Sequence, residues 1–386
     1  MIEMLGLLIA KPERIVAGLI SGTSMDGVDV VICKLSGSGV DTEWEILYFN
    51  SYPYSDSVRE KVVTTLHGSA EDVCRLNFEL GKEFSSQLKR AFAESGIDVN
   101  QLDLIGSHGQ TIYHVNGHSS LQVAEASVMA EDFGVPVISD FRVRDIAAGG
   151  NGAPLVPYLD YVLFGKEGGK LLLNLGGIAN FTIIPSAGAN WDNIRAWDTG
   201  PANMLIDLAT VHYTDGREKY DDMGKYASEG RVKSEWLNHL MAHPFITEKP
   251  PKSTGREDFG DEYFRSLLSV FEVRTMQDKL DLIATLARFT GESVHSNFSA
   301  FSKSGDEIHE VTVSGGGANN PVILNHLKEL FSGMSVKKID DYGILSDAKE
   351  AFAFAVLAND FIFGNPTNVP SVTGAEKLVV LGKLTL

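Results

Sequence analysis

Only two cysteines, Cys33 and Cys74, occur in a chain of 386 residues. That count rules out a disulfide scaffold and fits a reducing compartment. No apolar run approaches the ~20 residues of a membrane span. The segment "MLGLLIA" at 4–10 is short, and its basic residues Lys11 and Arg14 follow it, whereas a signal peptide carries them in front. A cytoplasmic protein with no membrane span is the expectation. Basic charge is scarce too: 33 Lys and Arg stand against 51 Asp and Glu, for a formal charge of −18. With no net positive field to release counterions from phosphates, nucleic acid is not an expected partner. Two common nucleotide motifs are missing. No G-x-x-x-x-G-K-[ST] segment occurs, and "SGGGANNP" lacks the G-x-G-x-x-G spacing of a dinucleotide fold.

What is present is an ordinary globular composition, 44% hydrophobic and 22% charged, in a chain long enough for two domains. "RIVAGLI" (14–20) and "VDVVICKL" (28–35) read as two strands of a hairpin, with "EWEILYFNSYPY" (43–54) as a third. Residues 56–95 hold two helical patterns, the second ending at Gly96. "LDLIGSHGQT" (102–111) reads as a buried strand running into a glycine loop. The opening pattern then returns about 150 residues later, where "KLLLNLGGIANFTIIP" (170–185) is again strand, loop, strand. This weak internal duplication predicts two similar domains facing each other across a cleft. "IRAWDTGPANMLIDLATVHY" (194–213) reads as strand, turn and helix, and Thr254 and Glu257 have capping-box spacing. "DAKEAFAFAVLANDFIFG" (347–364) is apolar nearly all round and predicts a buried helix. Strands alternating with helices place the chain in the α/β class.

Three glycine-rich turns follow apolar strands: "SGTSMDG", "NLGGIAN" and "SGGGANN". Glycine lets a backbone reach positive φ and lets successive N–H groups converge on an anion. The first two turns suit phosphates, and the third suits a nucleotide's sugar or base with a helix N-terminus behind it. Asp26 and Asp29 could hold a hydrated Mg²⁺ beside a phosphate. Taken alone, "SGTSMDG" is equally a tight hairpin that needs no ligand. Asp198 lies where a strand gives way to a Gly-Pro turn, a place for a catalytic carboxylate, although it or Thr199 could cap the following helix. His108, His114 and His118 form no zinc set, because the Gly and Asn between them break any helix that would align them. His108 could line a substrate pocket. Arg142 and Arg144 suit an acidic substrate or surface ion pairs, and Glu350 at a helix start is also what a helix dipole attracts.

The combined set "GLISGTSMDGVD", "GSHGQTIYH", "DFRVRDIAAGGNGAPLVP", "LNLGGIANFT", "WDTGPANMLID", "KSTGREDF", "VSGGGANNP", "KEAFAFAVLA" and "PTNVPSVTGA" resembles the anhydro-N-acetylmuramic acid kinases, from about Gly18 to Ala375. The resemblance implies an actin-like ATPase fold of duplicated RNase H-like domains, each a mixed sheet flanked by helices. On this chain those domains are expected over 1–140 plus 365–386 and over 141–364. It implies an ATP- and Mg²⁺-dependent enzyme of cell-wall recycling, which opens 1,6-anhydro-N-acetylmuramic acid and phosphorylates O6. The ATP phosphate loop then falls on Gly22, Thr23, Ser24, Met25, Asp26, Gly27, Val28 and Asp29, with Mg²⁺ held at Asp26 through water. Gly176, Gly177 and the Gly315, Gly316, Gly317 turn complete the nucleotide contacts, Asp198 is the general base, and His108, Arg142, Asn203 and Glu350 meet the sugar. A homodimer is the family habit. Met25 stands where Leu is usual and Trp197 where Phe is frequent. Two other readings stay open on the residues alone: another sugar or acid kinase, and an ATP-switched binding protein.

Overall fold

The computed structural model describes residues 2–22, 24–186, 190 and 192–386. The opening hairpin is β1 (Glu13–Ser21) and β2 (Gly27–Ser36), antiparallel with Val16 opposite Cys33. β3 (Glu43–Pro53) pairs antiparallel with β2. β4 (Leu102–Val115) lies parallel on the other side of β1, followed in parallel by β6 (Val137–Ser139). β5 (Ser119–Val123) folds back on β4, and a terminal strand, Lys383–Thr385, pairs with β6. The second sheet holds β7 (Lys170–Leu175), β8 (Ile178–Ile184), β9 (Arg195–Pro201), β10 (Glu310–Ser314) and β11 (Ser335–Lys338). The first runs β3-β2-β1-β4-β6 and the second β9-β8-β7-β10-β11. In each, an antiparallel meander of three strands is extended by two parallel ones. The same order, with the same directions, is the duplication that the hairpin patterns predict.

Helices pack on both faces of the central strands β1, β2 and β4, which is why these carry buried runs, whereas β3 at the edge alternates. Helix Ala70–Ser95 starts on a capping box between Ser69 and Asp72 and stops at Gly96, which adopts φ 70°. Its stripe of Leu76, Leu80, Phe84 and Leu88 joins Ala17, Leu19 and Ile105 in one core. Helix Lys349–Ile362 packs against β1, β2 and β4. Its backbone comes so close that a Cβ on Gly18 would sit 2.0 Å from the Ala351 carbonyl oxygen, and one on Gly106 2.1 Å from that of Phe354. Glycine in β1 and β4 is what admits this helix.

The chain forms two compact units, Met1–Gly165 with Ala348–Leu386, and Lys166–Asp347. Borders drawn from the sequence at 140/141 and 364/365 would cut bonds inside the first unit. There, the buried Asp145 accepts from Asn368 and Thr373, the Gly39 N–H donates to Asp360 at 2.8 Å, and Arg14 Nε donates to Asn359 at 2.8 Å. One local expectation also changes: "GSHGQT" is no loop but part of β4. Between Leu19–Ser107 and Ser21–Gln110 the pairing with β1 skips a residue, with Gly109 at φ 74°, so the strand absorbs the glycine as a bulge.

Candidate functional site

In the first unit, β1 ends at Ser21 and the turn to β2 begins. Ser21 Oγ donates to Gln110 Oε1 at 2.6 Å, and Gln110 Nε2 donates to the Gly22 and Thr111 carbonyls at 3.2 Å each. Gln110 is wholly buried, so it clamps the mouth of the loop. It was not among the expected site residues; the one amide side chain in β4, two residues after His108, was the available signal. Within the loop, Met25 takes φ 54° and its N–H donates to Gly22 at 3.2 Å. Thr23, expected here, lies outside the described residues. Asp26 is exposed and accepts from Ser24 Oγ at 2.6 Å, while Asp29 accepts from Ser51 Oγ at 2.5 Å. Gly27 and Val28 already belong to β2. Among the described residues no group of three or more His, Cys, Asp or Glu is placed to hold a metal. Magnesium arriving with a polyphosphate keeps several waters and needs only one or two carboxylates. Asp26 and Asp29 fit that requirement.

Also in this unit, Arg142 Nε donates to His108 Nε2 at 3.0 Å, and its Nη1 donates to the Gly152 carbonyl at 2.9 Å. Asp145 accepts the Gly152 N–H at 2.8 Å, which fixes that carbonyl in turn. Burial pulls the Arg142 guanidinium down to about 10, against the attraction of Glu350. Glu350 is open to solvent, yet the protein crowding it lifts its carboxyl above the ordinary range, against the pull of Arg142 and Lys349. Arg144, by contrast, is exposed.

In the second unit, the parallel neighbours β7 and β10 end at Leu175 and Ser314, and a glycine turn follows each. Ligands of α/β sheets gather outside such carboxyl ends. Asn203 joins the two turns. Its Nδ2 donates to the Leu175 carbonyl at 3.0 Å, and a Cβ on Gly317 would lie 3.1 Å from its Oδ1. Gly315 holds φ 80°, where a Cβ would meet Asn174 Oδ1 at 2.6 Å. Helix Asn203–Tyr213 starts against the first turn: the N–H groups of Asn203 and Met204 donate to Gly176 and Gly177 at 3.0 and 3.1 Å. The turn carbonyls therefore satisfy the helix start, and no side chain caps it.

That arrangement decides the alternative role for Asp198. It sits inside β9, opposite Asn180, and Thr199 Oγ1 donates to Ala179 instead of capping the helix. Along the outer side of β9, the Asp198 N–H donates to the Lys252 carbonyl at 3.3 Å, and Asp198 Oδ2 accepts the Thr254 N–H at 2.9 Å. Thr254 Oγ1 is engaged with Asp258 at 2.6 Å, so the expected capping box with Glu257 does not form. Burial pushes the Asp198 carboxyl up to about 6, opposed by the Thr254 bond and by Lys252. Lys252 is itself buried and held by the Phe245 carbonyl at 2.7 Å, with burial lowering its amine to about 8. Lys252 and Thr254 were missed in sequence because they reach Asp198 from more than fifty residues away. A half-buried carboxylate tied by one peptide N–H, with a raised pKa, is what a general base at neutral pH requires.

The family model described as anhydro-N-acetylmuramic acid kinase matches residues 14–386. The chain belongs to the anhydro-N-acetylmuramic acid kinase family. A kinase of that name from Caldanaerobacter subterraneus subsp. tengcongensis is 41% identical over 392 residues, covering 97% of this chain and 98% of its own. One from Bacillus cereus strain Q1 is 41% identical over 385 residues, covering 96% and 98%. Among solved structures, component A of the Acidaminococcus fermentans (R)-2-hydroxyglutaryl-CoA dehydratase aligns over 91% of this chain and 99% of its own, at 12% identity and a TM-score of 0.47. The strand order given above, not that likeness, carries the fold. Helix Ile2–Ala10 precedes the part of the chain that the anhydro-N-acetylmuramic acid kinase family shares.

Proposed function

We propose that this chain uses ATP to convert 1,6-anhydro-N-acetylmuramic acid to N-acetylmuramic acid 6-phosphate and ADP, in the cytoplasm as a step of cell-wall recycling. Family membership supports the reaction class. The observation that carries the mechanism is Asp198, a carboxylate raised to about 6 that caps no helix. Above that pH it is ionised and takes a proton from the water that attacks the anomeric carbon. The new bond forms from water oxygen to C1 as the bond from C1 to O6 breaks. O6 accepts the γ-phosphoryl group and ADP departs.

In this reading the turn from Gly22 to Asp29, and Gly176 and Gly177, offer N–H groups to the phosphates. Bound Mg²⁺ would neutralise phosphate charge beside Asp26. Gly315, Gly316 and Gly317 offer the close backbone approach that a nucleoside needs. Arg142 and Glu350 hold the acidic sugar. Asn203, expected on the sugar, acts in this reading on the nucleotide side by fixing the glycine turns, since it gives an amide N–H to the Leu175 carbonyl. The test is mass analysis of product made from anhydrosugar and ATP in ¹⁸O water. Label at C1, with O6 keeping its original oxygen, is expected. Label absent from C1, after correction for exchange through the open-chain aldehyde, refutes attack by water.

A further inference from the structure

The imidazole of His108 is only 4% exposed and has both nitrogens in use. Its partners settle where the proton sits. A guanidinium has donors and no acceptor, so Nε2, 3.0 Å from Arg142 Nε, must offer its lone pair. Nδ1 then carries the hydrogen and donates to the Gly109 carbonyl at 2.9 Å. The ring is neutral in this arrangement, and it lies against Phe354 with 4.6 Å between ring centroids. Gly109 is held in turn by the bulge of β4, so the acceptor for Arg142 is built on a sheet. Gly152 fixes Nη1 from the other side. Two of the five guanidinium N–H groups are thus spent on the protein, and among the described residues the other three have no hydrogen-bond acceptor.

We propose that His108 is a positioning residue, which holds Arg142 by its Nε so that the remaining donors meet the carboxylate of the muramic acid. A direct contact from His108 to the sugar would cost one of its two bonds, whereas Arg142 has donors to give. Burial and the neighbouring Arg142 charge hold the imidazole well below its ordinary pKa, in keeping with a lone pair kept for Nε. Glu350 acts on the same guanidinium at longer range, and among the described residues it makes no direct ion pair with it. The inference rests on Arg142 meeting the acidic sugar, as proposed above.

The test compares His108→Phe, His108→Gln, Arg142→Met and the double variant His108→Phe/Arg142→Met by steady-state kinetics. Phenylalanine keeps the packing on Phe354 and removes the acceptor. Loss of a charge-assisted hydrogen bond should raise KM for the anhydrosugar about 10- to 100-fold, with KM for ATP unchanged. Glutamine, whose Oε1 can stand near Nε2, should recover part of the loss. On the Arg142→Met background, His108→Phe should add nothing further. Additive losses would mean that His108 touches the sugar itself and would overturn the proposal, as would an unchanged KM in His108→Phe. Nitrogen-15 NMR of substrate-free wild-type protein gives a readout independent of catalysis: Nδ1 should be protonated and Nε2 bare at pH 6. A bare Nδ1 would overturn the arrangement. A wild-type protein that phosphorylates no anhydrosugar would instead sink the kinase reading, and the NMR result would still decide how His108 holds Arg142.

Discussion

Replacing Asp198 by Asn should make this protein slower and more stable at once. The amide oxygen can still accept the Thr254 N–H that Oδ2 accepts at 2.9 Å, so the local geometry survives. What goes is the base, and general bases contribute about 10²–10⁴-fold. Because ring opening and phosphoryl transfer are coupled, ADP release and sugar phosphate formation should fall together. Stability moves the other way. A carboxyl that rises from 3.8 to about 6 on folding binds its proton more tightly in the folded state. Above pH 6 the native state therefore carries an ion that burial disfavours. At about 1.4 kcal/mol per pH unit this costs at most about 3 kcal/mol at pH 7, and less for a half-buried group. Asp198→Asn relieves that cost, so its melting temperature should exceed that of wild type at pH 7. The gain should shrink between pH 6 and 4 and vanish below pH 4, where both states of the wild type are protonated. Wild-type kcat should fall with decreasing pH through about 6, and the residual rate of the variant should not follow that profile. Calorimetry at pH 7 and 4, with turnover by ADP release, measures both. Near-normal turnover would refute the assignment of the base. A variant that melts lower at pH 7 would refute the electrostatic argument.

Two further substitutions probe the glycine turns. A Cβ on Gly22 meets nothing nearer than Ser24 Oγ at 3.7 Å, so Gly22→Val should fold normally and bind ATP far more weakly; calorimetry with unchanged affinity would remove the loop from the nucleotide site. Gly315→Ala forces a side chain to φ 80° and into Asn174 Oδ1 at 2.6 Å. It should cost about 1–3 kcal/mol in urea unfolding and raise KM for ATP, and an unchanged midpoint would contradict the strain.

Local patterns in the chain were enough to determine the two hairpins, the long helix from Ala70 to Ser95 and the repeated domain plan. Periodicity, caps and turn residues act within a few positions of themselves, and each of these elements carries its own signal. The apolar sequence around Ala351 to Ala358 likewise announces a buried helix, but not its location. Gly18 and Gly106, hundreds of residues earlier, admit that helix to the first sheet, and this places residues 348–386 in the first unit. The same distinction holds at the candidate site. Its glycine turns and Asp198 are visible as motifs, while the groups that give them their chemistry arrive from distant segments. Thr254 and Lys252 set the environment of Asp198, the carbonyls of Gly176 and Gly177 relieve it of any capping duty, and Arg142 takes the lone pair of His108. A carboxylate's pKa and an imidazole's proton depend on burial and on partners in three dimensions, which only the tertiary structure supplies.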